Sequence, residues 1–375
     1  MKIVFCDNGM SMLLNFRMDV IRHYSDMGAD VLLVYPASSH REELVSRLPE
    51  NCRCYCVDVD PTGINPLKDM AYLRALYKIY RRERPDVVFH YTIKPNVYGT
   101  IAAAAAGVKA RISMVAGLGY VFSGKGVSKA LGRGLYKIGL RLSSCVITLN
   151  AYNHDLLLRN RYVKKDNIVL FEGGEGVNLS KYAFEENSFE NHCFLMVARV
   201  LYDKGYKEFV DAARIVRMSY PDARFELLGP IDDSSPMRVP YSVVEKDVSD
   251  GYITYLGVTD DVPAVMRRKG VVVVLPSSYK EGMNRSLMEA VAVGRPVITT
   301  DVFGCKELVD DGINGYVVPP VDAQALADAV IRFICLSEDD KVNMSKASHQ
   351  KALKQFDVRK VIEQYDAILN QLGVA

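Results

Sequence analysis

Residues 277–296, SSYKEGMNRSLMEAVAVGRP, carry the densest chemistry in the chain. They follow the apolar run Val271 to Pro276, which reads as a buried strand. Their loop therefore lies at a strand's carboxyl end, where α/β sheets place ligands. Asn284 or its neighbour can cap a helix that runs through Ala292 and stops at Gly294, with Pro296 just beyond. A helix start presents backbone N–H groups and a positive dipole end, and Gly282 lets the chain approach a ligand closely. Gly282, Met283, Asn284, Arg285, Ser286 and Leu287 thus form a cradle suited to a diphosphate. Glu289, inside that helix, is placed to accept hydrogen bonds from the hydroxyls of a ribose on the same diphosphate, and Glu281 stands nearer a sugar.

A carboxylate near a helix start is, taken alone, better read as a surface group favoured by the dipole. Arg199 and Lys204 change the balance. Both follow the strand-like run Phe194 to Val197, in the loop feeding a helix at Tyr206, so two cations stand at a second strand's carboxyl end. Cations and helix amides together suit a doubly charged leaving group.

These residues must be held by strands and helices in alternation. Short β-branched runs (IVFC, VLLVY, VVFHY, then segments at Cys145, Phe194, Phe225, Val271 and Pro296) alternate with helical patterns near residues 16–27, 69–83 and 206–218. This is βαβ grammar with parallel, doubly buried strands. With 375 residues, two domains are expected. The glycine-containing polar stretch 171–192 reads as the boundary, and a last helix, Val358 to Leu372, follows both halves.

The net charge of +2 conceals an asymmetry, because residues 87–154 contain no Asp or Glu but eight Lys or Arg. Lys125, Lys129, Arg133, Lys137 and Arg141 recur every four residues, with Val127, Leu131, Leu135, Ile138 and Leu142 between them. That pattern predicts an amphipathic helix able to meet an anionic membrane, although Gly132, Gly134 and Gly139 weaken it. The opening residues MKIVFCDNGM lack the apolar length of a secretory leader, and no run approaches a membrane span. A cytoplasmic protein with reduced thiols is expected. Cys52, Cys54 and Cys56 fall on one strand face without zinc-type spacing. Gly119-YVFSGKG lacks the Ser or Thr of a phosphate-binding P-loop, and Asp58-Val-Asp60 runs into Pro61 and Gly63, a strand-to-turn exit.

Taken as a constellation, the strand, Glu281-Gly282, Glu289, Gly294-x-Pro296, the next strand and Gly304 resemble family 4 of the glycosyltransferases, retaining enzymes of the GT-B fold. The resemblance spans nearly the whole chain. It implies that Glu289 contacts the donor ribose and Glu281 the transferred sugar. Ala198-RVLYDKG resembles the family's basic segment, which implies that Arg199 and Lys204 clasp the donor diphosphate, and Glu307-LVDDGINGYVVPPVD looks like its closing segment. The first half resembles the narrower group that elongates lipid-linked glycans for capsules, O-antigens or protein glycosylation, through Asn15-FR, His90-YTIKPNVYGTIAA and Val115-AGLGYVFS. This implies an acceptor or sugar pocket with Arg17, Lys94 and Asn96; His90, near these but off the family's histidine offset, is a further candidate for a sugar contact, its alternative being a strand-end histidine satisfied locally. The chain departs from the pattern in its first loop, Gly9-MSMLLN, where many members carry a glycine pair, and at Ile93, where many carry histidine.

The resemblance implies an α/β chain of two Rossmann-like, doubly wound domains facing a central cleft. Their expected extents are 1–172 for an acceptor-binding domain, 173–192 for a linker, 193–356 for a nucleotide-sugar-binding domain, and 357–375 for a helix packing back toward the first. The expected reaction is transfer of a hexose or N-acetylhexosamine from a UDP-sugar to a hydroxyl of a lipid-linked, undecaprenyl-diphosphate-type glycan, with retention. No metal, no cofactor and no nucleic-acid partner are expected. Peripheral association with the inner face of a plasma membrane is expected through the basic half. The rivals are a nucleotide-sugar epimerase or phosphorylase of the same architecture, and a protein that binds nucleotide sugars without turnover.

Overall fold

The computed structural model describes residues 1–37, 45–59, 65–117, 127–233, 235–279 and 282–374. Each apolar run singled out above is a strand. The first sheet contains β1 (Lys2–Cys6), β2 (Asp30–Tyr35), β3 (Arg53–Cys56), β4 (Val87–Tyr91), β5 (Ala110–Val115), β6 (Cys145–Thr148) and β7 (Ile168–Leu170), in the order β3-β2-β1-β4-β5-β6-β7. The second contains β8 (Cys193–Val197), β9 (Arg224–Leu228), β10 (Thr254–Gly257), β11 (Val271–Leu275), β12 (Val297–Thr300) and β13 (Gly315–Val318), in the order β10-β9-β8-β11-β12-β13. The described pairings are parallel, for instance Ile3 with Val31 and Val271 with Cys193. In each sheet the order reverses beside its first strand, at β1/β4 and at β8/β11, which opens a crevice at the carboxyl ends there.

The chain forms two compact units, residues 1–175 with 358–375, and residues 176–357. Residues 176–192, expected within a linker, are part of the second unit. Val177, Tyr182 and Phe189 are buried in its core, and Val177 N–H donates to the Phe356 carbonyl at 2.7 Å. The last helix, Val358–Gln371, completes the first unit, with Tyr365 packed edge-on against Phe89 and Phe171.

The helix expected over residues 16–27 is present as Met18–Asp26, and a short helix that the sequence reading did not include, Met10–Phe16, precedes it and meets it at Arg17. The break follows from where the Arg17 side chain goes. It is buried, ion-paired with Glu175 and stacked 4.3 Å from the centre of the Tyr91 ring, whose hydroxyl meets that of Tyr365 at 3.2 Å. Asp7, at the carboxyl end of β1, is buried beside this group. Its Oδ1 accepts the Asn8 N–H, while Oδ2 finds no hydrogen-bond partner among the described residues. Burial pushes the Asp7 carboxyl up to about 7, against the downward pull of Arg17.

The helix Val127–Leu142 forms despite its glycines, and one of them is required. A Cβ at Gly139 would come within 2.4 Å of the Asn96 carbonyl oxygen, so only glycine lets this helix seat against the turn after β4. At Gly134 no atom lies within 4 Å of the same added carbon.

The two glycines should therefore respond with opposite sign. Gly134→Ala gains helix propensity alone and should stabilise by up to about 1 kcal/mol. Gly139→Ala should destabilise by about 1–3 kcal/mol through overpacking, both read by urea titration. Asp7 predicts a pH effect. Its folded pKa lies above the ordinary 3.8, so wild type loses stability as pH rises toward about 7, while Asp7→Asn does not. The stability difference between them should move in favour of the variant by on the order of 2 kcal/mol between pH 5 and pH 8, and a flat difference contradicts the buried-carboxyl reading.

Candidate functional site

In the second unit the reversal of strand order brings together the loops that leave β8 and β11. After β8 the chain runs through Ala198 and Arg199 to Lys204 and Gly205, then enters the helix Tyr206–Arg217. Gly205 has φ +85°, and a Cβ there would lie 2.1 Å from the Pro276 carbonyl oxygen, so glycine is what lets the first loop lie on the second. The contact is hydrogen-bonded. The Asp203 carbonyl accepts Ser278 N–H at 3.0 Å, Tyr279 N–H at 3.2 Å and the Ser277 hydroxyl at 3.2 Å. Lys204 stands with its ammonium 5.3 Å from the centre of the Tyr279 ring. Arg199 is 56% exposed and pairs with Asp232 at 2.8 Å, in the segment after β9.

The loop after β11 leads into the helix Arg285–Ala292, with Asn284 as its cap. Asn284 N–H donates to the Gly304 carbonyl at 2.7 Å, which ties the helix start to the loop after β12. Thr299 donates to the Leu275 carbonyl at 2.8 Å, joining the ends of β11 and β12. The helix ends where expected, at Gly294 with φ +76°, followed by Pro296.

Two details differ from the sequence reading. Leu287 was placed among the donor-binding residues, but its N–H is consumed by the Asn284 side chain at 3.0 Å and its side chain is wholly buried, so it has nothing to offer a ligand. The N–H groups of Arg285 and Ser286 sit in the first turn, where no intrahelical acceptor exists. Second, the Arg285 side chain turns inward, with Nε donating to Glu289 at 2.9 Å and a further nitrogen donating to the Gly176 carbonyl. Glu289 is only 9% exposed, held between Arg285 and Tyr182, whose hydroxyl pKa is raised by burial and then by this carboxylate. The i,i+4 spacing of Arg285 and Glu289 was the available signal for this pair. A carboxylate has lone pairs beyond those two partners, so acceptor capacity remains. Gly282 is buried and Met283 partly so, ahead of the cap, and Glu281 lies outside the described residues.

The residues proposed for an acceptor pocket in the first unit are all buried. His90, in β4, has no exposure. Its Nε2 meets the Tyr80 hydroxyl at 3.2 Å and its Nδ1 the Thr100 hydroxyl at 3.1 Å, with Gly99 leaving room for the ring. Burial drives its pKa down to about 3, so it is a neutral core residue and not a sugar contact. Lys94 pairs with Asp69 at 2.6 Å, Asn96 donates to the Met114 carbonyl at 2.8 Å, and Arg17 is committed to Glu175. These three support the turn after β4 and the bend after the first helix. The Gly119-to-Gly126 stretch and Asp60 lie outside the described residues, and Asp58 is exposed. Among the described residues no group of His, Cys, Asp or Glu is placed to hold a metal ion.

Known proteins match both units. Residues 15–174 match the glycosyl transferase 4-like domain, and residues 181–351 match the glycosyl transferases group 1 model. The chain is 26% identical to the N,N'-diacetylbacillosaminyl-diphospho-undecaprenol alpha-1,3-N-acetylgalactosaminyltransferase of Campylobacter jejuni, covering 97% of both chains. It is 25% identical to the UDP-Gal:alpha-D-GlcNAc-diphosphoundecaprenol alpha-1,3-galactosyltransferase of Escherichia coli, covering 85% of this chain and 84% of that one. Its fold is shared with Anabaena Alr3699/HepE in complex with UDP, at a TM-score of 0.76 and 19% identity over 99% of this chain and 100% of the other. With a glycosyltransferase domain matched in each of its halves, the chain belongs to the GT-B glycosyltransferases of the family 4 type.

Proposed function

We propose that the protein transfers a hexose or N-acetylhexosamine from a UDP-sugar to a hydroxyl of a lipid-linked glycan, with retention of configuration and without a divalent metal. The observation that carries this reading is the contact between the loops after β8 and β11, which sets Arg199 and Lys204 at the same sheet reversal as the helix start at Asn284. Positive charge from two side chains and a helix terminus matches a leaving diphosphate. Glu289 takes the ribose hydroxyls. In the transfer, the bond between the anomeric carbon and the phosphate oxygen breaks as the acceptor oxygen bonds to that carbon. The acceptor's proton passes to the departing phosphate, so no protein base is required.

The acceptor class is supported by the two relatives named above, both described as acting on diphosphoundecaprenol-linked sugars and as making α-1,3 linkages. A donor with its sugar α-linked to the diphosphate yields such a product only with retention. A lipid-linked acceptor sets the reaction at a membrane surface, and the basic first half of the chain suits an anionic one.

Lys204→Ala should lower kcat by tenfold or more, because a charged hydrogen bond that strengthens as the diphosphate departs contributes about 1.5–3 kcal/mol. Excess EDTA should leave wild-type turnover unchanged. Abolition by EDTA, or a near-normal kcat in the variant with only KM raised, overturns the metal-free mechanism. Glu289 is tested by glutamine. Alanine would leave Arg285 and Tyr182 facing a void in a buried helix, whereas Glu289→Gln keeps the volume. It should weaken UDP binding by roughly tenfold in calorimetry, in line with loss of a charged acceptor, and equal affinity removes the ribose role.

A further inference from the structure

The helix Arg285–Ala292 carries a carboxylate where its neighbours are apolar. Leu287, Met288, Ala290 and Val291 are buried on either side of Glu289, which is itself only 9% exposed. An ionised carboxylate is costly to bury unless it is paired, and an apolar residue of similar size would serve packing better. Glu289 is instead given two donors. Arg285 Nε donates to its Oε1 at 2.9 Å, and the Tyr182 hydroxyl donates to the same carboxylate.

Both donors are held by the segment from Gly176 to Glu185, which lies along this helix from end to end. At the helix start the Gly176 carbonyl accepts from Arg285. Past the helix end, Glu185 N–H donates to the Val293 carbonyl at 3.4 Å, and the Glu185 carbonyl accepts from Arg295 at 2.7 Å. Between these anchors the chain makes a turn fixed by Asn178. Its Oδ1 accepts the N–H groups of Ser180 and Lys181 at 3.0 Å each, and its carbonyl accepts Tyr182 N–H at 2.9 Å. The Tyr182 ring is 4% exposed and stands in the core of the unit, so its hydroxyl is aimed by packing as well as by backbone. Arg285 is likewise pinned at both ends, by Glu289 and by Gly176.

Holding a glutamate side chain in one conformation costs rotamer entropy. What that cost secures here is direction, because the lone pairs left over by Arg285 and Tyr182 can point only one way. Where a residue breaks the apolar pattern of its helix and is then fixed by several others, its orientation is the place to look for function.

We propose that Tyr182 and Arg285 are positioning residues that fix the Glu289 carboxylate to accept both vicinal hydroxyls of the donor ribose at once, so that the enzyme selects ribonucleotide donors over 2′-deoxyribonucleotide ones. A carboxylate free to rotate would turn to whichever hydroxyl remains. A fixed one is left with an unmatched acceptor when the 2′-hydroxyl is missing, and an unmatched polar group in a buried site is what rejects an analogue. The inference rests on the ribose role proposed for Glu289.

The test is calorimetry of the whole protein with UDP and with 2′-deoxy-UDP, alongside melting temperatures. Wild type should prefer UDP by about tenfold or more, the worth of a hydrogen bond to a charged group. Tyr182→Phe keeps the ring and removes the hydroxyl. It should lose about fivefold in UDP affinity while 2′-deoxy-UDP stays within about twofold, so that the preference shrinks. Arg285→Met should lose most of the preference, and Arg285→Lys, which keeps a cation four residues from Glu289, should recover part of it. In turnover, Tyr182→Phe should raise KM for the UDP-sugar by a larger factor than it lowers kcat. A merely structural tyrosine would lower the melting temperature and weaken both nucleotides by the same factor, and that result overturns the proposal. Undiminished preference in both Tyr182→Phe and Arg285→Met, when Glu289→Gln has lost it, overturns the positioning role and leaves the ribose role of Glu289 standing. Equal affinities in wild type, or an unaltered preference in Glu289→Gln, overturn the ribose role and the positioning role with it.

Discussion

Gly205 and the Pro276 carbonyl touch because no side chain stands between them, and the proposed chemistry depends on that contact. A leaving diphosphate needs positive charge from more than one direction. Here the charge comes from two chain segments far apart in sequence, which meet at the reversal of strand order. The Asp203 carbonyl, receiving both Ser278 and Tyr279, fixes their relation through backbone alone. Lys204 is thus carried on a fixed backbone with its ammonium beside the Tyr279 ring, a preorganisation that limits rearrangement when charge develops. Any Cβ at residue 205 would have to separate the loops, moving the cations from the helix start.

The first unit solves a different electrostatic problem at its own strand reversal. Arg17 is buried with one committed carboxylate, Glu175, and a second, Asp7, whose ionisation is held back by burial near neutral pH. A buried charge needs a partner, and removing one partner is more costly than replacing the set. Glu175 is the last residue of its unit before the chain passes to the second, and Tyr365 brings in the returning helix. The arginine thus fastens the chain's exit and its return to the carboxyl end of β1.

What could be read from residues was what is decided locally. Apolar runs announced the strands because a parallel strand is buried on both faces. Asn284, Gly294 and Pro296 announced one helix, since cap and stop act within a turn. The place of Arg199 and Lys204 in the loop after a strand was legible because that strand is an apolar run. The failures needed distant partners. The short helix Met10–Phe16 went unread ahead of Arg17, whose side chain is drawn to Glu175, and residues 176–192 are polar in composition yet contribute Val177 and Phe189 to a core. His90 resembled a ligand-facing residue at a strand end until Tyr80, Thr100 and Gly99 enclosed it. The Leu287 amide is taken by the Asn284 cap three residues before it, as a cap's spacing implies. Leu131 and Ile138 were legible as one stripe of an amphipathic helix, and they are exposed, but only the close approach at Gly139 shows where that helix seats.

The central claim is that Arg199 and Lys204 read the diphosphate. The most direct measurement is the calorimetric affinity of UDP against that of uridine monophosphate, in wild type and in Lys204→Ala. The account predicts that wild type prefers the diphosphate and that the variant loses most of that preference while retaining its affinity for the monophosphate. A variant whose preference for UDP equals that of wild type would contradict it.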